Sequence, residues 1–179
     1  PLVAIVPQPD SYDKVRSSLV PAQEGIVIWA SMLEKRNNGD WDVDFEIIKP
    51  GSTFSQKPDI IMNVVWHDKH YGACNSIRGY AQLGPGFSQS GQPINTVVCA
   101  SILGERASNA MISNTAAHEF IHAMGLGHVF NKNNDLMCSV ESGVPTCDNI
   151  YNKSGTPSDF NLASVKKTYQ ADGWKNPNF

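Results

Sequence analysis

Charge is scarce in this 179-residue chain: Asp, Glu, Lys and Arg make up only 17% of it, and no run of one sign would serve as a tail. Fourteen basic residues against seventeen acidic ones, a formal net charge of −3, leave no basic face, which argues against nucleic acid as a partner. Long apolar runs are missing too. Stretches such as Ile60–Trp66 fall far short of the roughly 20 residues that a membrane-spanning helix needs. There are only four cysteines, at 74, 99, 138 and 147, and none forms a C-x-x-C pair, so redox and zinc-knuckle readings are weak. The chain opens Pro1-Leu2-Val3, without an initiator Met or a charged-then-apolar signal, so a signal or pro-segment is expected to lie outside this sequence.

An even cysteine count reads as two disulfides in an oxidising compartment, with four buried free thiols as the alternative. Three pairings are possible. The pairs nearest in sequence, Cys74–Cys99 and Cys138–Cys147, are favoured, and the expected location is secreted or extracellular. The length suits one domain over 1–179, and nothing demands more than a monomer.

Val3–Val6, closed by Pro7 and Pro9, reads as a strand. Pro21 suits the first turn of a helix, followed by an apolar stripe at Ala22, Ile26, Trp29 and Leu33. Asn37-Asn38-Gly39-Asp40 supplies turn chemistry. Trp41, Val43, Phe45 and Ile47 alternate with acidic residues, as in a half-buried strand. Asp59–Trp66 is apolar and β-branched, the pattern of a central strand covered on both faces. Gly79–Leu83 and Ile94–Ala100 are further strand candidates, Ala107–Met124 suits a helix stopped at Gly125, and a last helix is expected from Pro157 or Ser158, with Leu162, Val165 and Tyr169 inward.

One segment carries chemistry. His118-Glu119-Phe120-Ile121-His122-Ala123-Met124-Gly125-Leu126-Gly127-His128 matches H-E-x-x-H-x-x-G-x-x-H in full. His118 and His122, four apart, project from one helix face one turn apart, so both imidazoles can reach one ion. Glu119 is rotated around the helix, placed to hydrogen-bond a metal-bound water without being a ligand. The helix must then stop, and Gly125 can adopt positive φ and reverse the chain, bringing His128 back towards the first two. Three neutral imidazoles match a catalytic zinc site, which keeps its fourth position for water.

On these residues the chain resembles the metzincin clan of zinc endopeptidases. Asp135-Leu136-Met137-Cys138 resembles that clan's Met-turn, with Met137 beneath the metal. The stretches Ala116–Phe120, Gly125–His128 and Ser158–Tyr169, and Pro58–Met62 as a central strand, are most similar to the matrixin (matrix metalloproteinase-like) branch. The resemblance implies an α+β catalytic domain with a twisted, mainly parallel five-stranded sheet and one antiparallel edge strand. It also implies two long helices in an upper lobe of about 1–125, the second bearing the site, and a loop-rich lower lobe of about 126–179 with a terminal helix. Gly79, Tyr80, Ala81, Gln82 and Leu83 would form the cleft-edge strand, and the loop from Ser139 to Pro157 would shape a pocket. The second, structural zinc of matrixins is not expected, because the corresponding region offers only His67, Asp68 and His70. No D-x-D-x-D-G loop marks a calcium site, which leaves calcium undecided. Ser139 stands where astacins and serralysins place a tyrosine, so an auxiliary tyrosine ligand is not expected.

These readings converge on a zinc endopeptidase acting on extended peptide or protein substrates. One Zn2+ is held by His118, His122 and His128, and Glu119 activates its water as general base. The alternatives are an adamalysin-like subgroup of the same clan, suggested by Cys138 beside the Met-turn, and a non-catalytic zinc-binding secreted module, against which Glu119 argues.

Overall fold

In a computed structural model of the chain, the structure describes residues 1–36, 42–66, 74, 77–82, 91–129, 135–138 and 156–169. His67, Asp68, His70, Leu83, Ser139 and Cys147 lie outside them. Five strands, β1 (Leu2–Pro7), β2 (Asp44–Ile47), β3 (Ile60–Val65), β4 (Gly79–Ala81) and β5 (Ile94–Cys99), form one sheet in the order β2-β1-β3-β5-β4. The pairs β1–β2, β1–β3 and β3–β5 are parallel, and β4 runs antiparallel to β5 at the edge. The mainly parallel sheet with its antiparallel edge is therefore the one expected. β3 takes the middle position, and one of its faces, Ile60, Met62 and Val64, is fully buried; on the other face Ile61 and Asn63 are only half-buried and Val65 is buried, so the covering of both faces expected for Asp59–Trp66 is incomplete.

Helix α1 (Tyr12–Arg36) crosses from β1 to its parallel neighbour β2. It buries Val15, Leu19, Ala22, Ile26, Trp29 and Leu33, a stripe at steps of four and three. Pro21 does not open this helix, contrary to expectation; it sits inside it. An interior proline removes the bond from its own nitrogen to the carbonyl four residues back, here that of Ser17. The Arg106 Nη2 donates to that carbonyl at 2.9 Å, and its Nε to Ser17 Oγ at 3.1 Å. A partner 89 residues away thus satisfies the group that proline leaves bare. Arg106 closes the short hairpin of β6 (Ser101–Ile102) and β7 (Glu105–Arg106), whose turn residues Leu103 and Gly104 both have positive φ; the sequence reading did not single out this hairpin.

Helix α2 (Asn109–Ala123) begins at Ser108, whose Oγ accepts from Met111 N at 3.2 Å, a side-chain N-cap. It packs closely on α1. A Cβ at Gly25 would lie 2.3 Å from Ser113 O and 3.0 Å from Ala117 N, so only glycine permits the approach. One turn on, Trp29 Nε1 donates to Ala117 O at 2.9 Å, buried, and its ring meets Phe120 with centroids 6.0 Å apart. Helix α3 (Asp159–Thr168) starts with a reciprocal capping box between Ser158 and Asn161. It ends at Tyr169, whose hydroxyl donates to Met124 O at the end of α2.

Because backbone atoms of α2 face Gly25, Gly25→Ala is expected to destabilise the protein by about 1–3 kcal/mol, the cost of overpacking. Urea unfolding should show this as a lower midpoint at unchanged slope; an unchanged midpoint contradicts the close-approach account.

Candidate metal centre

The end of α2 builds the site. Gly125 has φ +92°, its N–H donates to His122 O at 2.8 Å and Leu126 N–H donates to Ile121 O at 3.3 Å. This bond pair is a Schellman stop with glycine in the left-handed position. The reversal turns the chain back towards the helix and also aims the Leu126 carbonyl at His122, whose Nδ1 lies 2.7 Å from it. His118 Nδ1 makes the corresponding contact, 2.8 Å, to Leu136 O. A carbonyl oxygen only accepts, so both rings carry their proton on Nδ1 and present an unprotonated Nε2.

Those two nitrogens meet that of His128. The Nε2–Nε2 distances are 2.9 Å for His118–His122, 2.9 Å for His122–His128 and 3.2 Å for His118–His128. With both Nδ1 positions protonated, the His118–His122 contact has no hydrogen to share and sets one lone pair against another. Tetrahedral Zn–N bonds of about 2.0–2.1 Å place two ligand nitrogens roughly 3.3 Å apart, close to the spacing found. The donor set therefore fits one zinc ion, and the backbone acceptors behind His118 and His122 are the partners that metal-binding imidazoles use. Among the described residues no other group of three or more His, Cys, Asp or Glu side chains could hold a metal.

Exposure is graded across the site. His122 and Glu119 are each 5% exposed, His118 is half-buried and His128 faces solvent. Burial pushes the Glu119 carboxyl up to about 8 and holds His122 down at about 4, the latter with a smaller push from His128. Glu119 Oε2 is buried with no hydrogen-bond partner. Strand β4 lies directly against this carboxyl: a Cβ at Gly79 would come within 2.8 Å of Glu119 Cγ and 2.6 Å of Val97 O. Of the proposed cleft strand, Gly79, Tyr80 and Ala81 form β4, and Gln82 continues it through its N–H to Asn95 O at 3.0 Å.

Met137 is 1% exposed, in a turn closed by Cys138 N–H to Asp135 O at 3.1 Å. Val129 N–H donates to Met137 O at 2.9 Å, tying the residue after the third histidine to that turn. A cavity of about 590 Å3 opens there, lined by His128, Leu126, Met137 and Phe160 among others. Cys99, the last residue of β5, forms a disulfide with Cys74; Cys138 is also disulfide-bonded. Sequence reasoning placed Asp135 in the turn and Ser158 and Asn161 in the last helix without joining them; the three are hydrogen-bonded around the Met137 turn. The Ser158-x-x-Asn161 capping spacing was the available signal.

No protein-family model matches the chain, and no curated protein matches it. Among solved structures, archaemetzincin from Methanopyrus kandleri matches over 91% of this chain and 92% of its own, at 14% identity and a TM-score of 0.50. The likeness is one of fold. The chain has an α+β fold like that of this neighbour, which carries the name archaemetzincin, not that of a matrixin.

A pH dependence follows for the metal-free protein. The Glu119 pKa is raised, so the stability contributed by its protonated form is full below 4.5 and is lost as pH rises through about 8. That of His122 is lowered, so the contribution of its neutral form is full above 6.5 and is lost as pH falls through about 4. Between 6.5 and 8 the Glu119 slope remains. The melting midpoint of chelator-treated protein should fall across that interval, and Glu119→Gln should flatten the fall. Equal slopes for both proteins would contradict the burial of Glu119.

Proposed function

We propose that the protein is a zinc-dependent endopeptidase that hydrolyses peptide bonds in extended substrates. The observation that carries this reading is the convergence of three imidazole Nε2 atoms, two with their tautomers set by backbone carbonyls, at the end of the helix that bears Glu119, whose buried Oε2 has no hydrogen-bond partner. A structural zinc site has no use for that carboxyl, and a three-histidine set leaves a position for water. Zinc held by His118, His122 and His128 supplies Lewis acidity, lowering the pKa of water towards about 7 and polarising a carbonyl.

The remaining steps belong to the protein. Glu119 accepts the proton of the attacking water and delivers it to the leaving amine nitrogen. With burial raising its pKa to about 8, it binds a proton far more firmly than an exposed carboxylate. The antiparallel edge strand β4 offers backbone from Gly79 to Gln82 for a substrate to extend the sheet. The contact of Gly79 with Glu119 supports placing such a strand beside the base. Met137, buried in the turn tied to the residue after His128, would close the site from below as a polarisable side chain, as the resemblance to the metzincin Met-turn implies.

The matrixin-like subtype rests on the sequence likeness of 116–128 and the terminal helix. The extracellular assignment rests on the cysteines: the Cys74–Cys99 bridge fits an oxidising compartment.

Glu119→Ala should leave one zinc bound per chain while cleavage of denatured casein falls about 10²–10⁴-fold, the usual contribution of a general base. Zinc content and turnover measured on the same preparation check this. Unchanged turnover contradicts the mechanism, and a zinc-loaded wild-type protein that cleaves nothing supports the non-catalytic module instead.

A further inference from the structure

Asp135 is 5% exposed, and both of its carboxylate oxygens are engaged. Oδ1 accepts from Met137 N–H at 2.8 Å and from Asn161 Nδ2 at 3.0 Å; Oδ2 accepts from Ser158 Oγ at 2.6 Å. Ser158 and Asn161 cap each other at the start of α3. The carboxylate therefore sits at the positive end of that helix, a favourable place for it. That much would make Asp135 a brace between a turn and a helix.

The bond to Met137 does more. The Met137 N–H and the Leu136 C=O belong to one planar, trans peptide group and point in opposite directions. The Leu136 carbonyl is the group that holds His118 Nδ1 at 2.8 Å. One rigid peptide is thus gripped at its N–H by Asp135 and at its C=O by His118. The geometry points to Asp135 as a positioning residue for His118, acting through the 136–137 peptide. The carboxylate fixes the plane of that peptide and polarises it. The carbonyl then carries more negative charge and holds Nδ1–H more firmly, which sets the ring angle and strengthens Nε2 as an electron-pair donor. Metal-binding histidines commonly donate straight to a carboxylate or to a carbonyl; here a carboxylate reaches the ring with one peptide group between.

The inference rests on the zinc-site reading for its metal readout, and a second readout needs no metal. In metal-free protein labelled with 15N-histidine, the His118 Nδ1–H should be visible as a protected imidazole proton. Asp135→Ala should make it exchange faster, and Asp135→Asn, which keeps an acceptor but no charge, should retain it with a shifted resonance. Zinc affinity, measured by competition with a chromogenic chelator, should fall about 10–100-fold in Asp135→Ala, the usual loss for an outer partner of a ligand, and less in Asp135→Asn. Ser158→Ala removes the Oδ2 contact and the helix cap but leaves the Met137 bond. It should lower the melting midpoint and leave zinc affinity unchanged.

Equal zinc affinity in Asp135→Asn and wild type overturns the polarising role and serves even where Asp135→Ala fails to fold. Equal losses of zinc affinity in Asp135→Ala and Ser158→Ala would reduce Asp135 to a brace. A wild-type chain that takes up no zinc sinks the proposed function, while the His118 proton still decides for or against Asp135.

Discussion

Two unprotonated imidazole nitrogens 2.9 Å apart, those of His118 and His122, repel, and the rest of the site follows from how the chain holds them together. His118 and His122 share a helix face, which brings them close but fixes neither tautomer nor ring angle. Those come from carbonyls beyond the helix, Leu126 and Leu136. Each is aimed by a turn, the glycine stop at Gly125 and the Asp135–Cys138 turn. The His118–His122 Nε2 distance of 2.9 Å is thus imposed by backbone geometry, and a cation between the two nitrogens would relieve the repulsion that the fold maintains.

The same economy governs Glu119. It shares α2 with the ligands, so its position is fixed once the helix is placed, and α2 is placed by the contact at Gly25 and the Trp29 bond to Ala117. β4 seals the carboxyl from the other side at Gly79. Burial that destabilises an ionised carboxylate is the burial that makes it a stronger base, so a stability cost and the proposed activity trace to one cause. Helix α3 completes the arrangement from below, through the Asp135 bonds of its cap and through Tyr169 at the end of α2.

Local physics was legible in the sequence. The H-E-x-x-H-x-x-G-x-x-H segment specifies its own geometry, because helix periodicity and a glycine stop act over a few residues; the Gly125 reversal and the strand positions followed from the same reasoning. The mainly parallel sheet was implied by resemblance, since pairing such as β1 with β3 depends on contacts far apart in sequence. Pro21 was misread because a proline inside a helix depends on a distant donor, here Arg106. Asp135 was given no role of its own because two of its three partners, Ser158 and Asn161, sit more than twenty residues away at the cap of α3. The matrixin likeness was the least secure reading: short stretches looked matrixin-like, whereas the solved structure similar in fold is an archaemetzincin.

The central claim is that one zinc is held by three imidazoles with a position kept for water. X-ray absorption at the zinc edge of the zinc-loaded protein tests it most directly. The account predicts three imidazole nitrogens and one oxygen at about 2.0–2.1 Å. A sulfur scatterer near 2.3 Å, or a fourth imidazole, would contradict it.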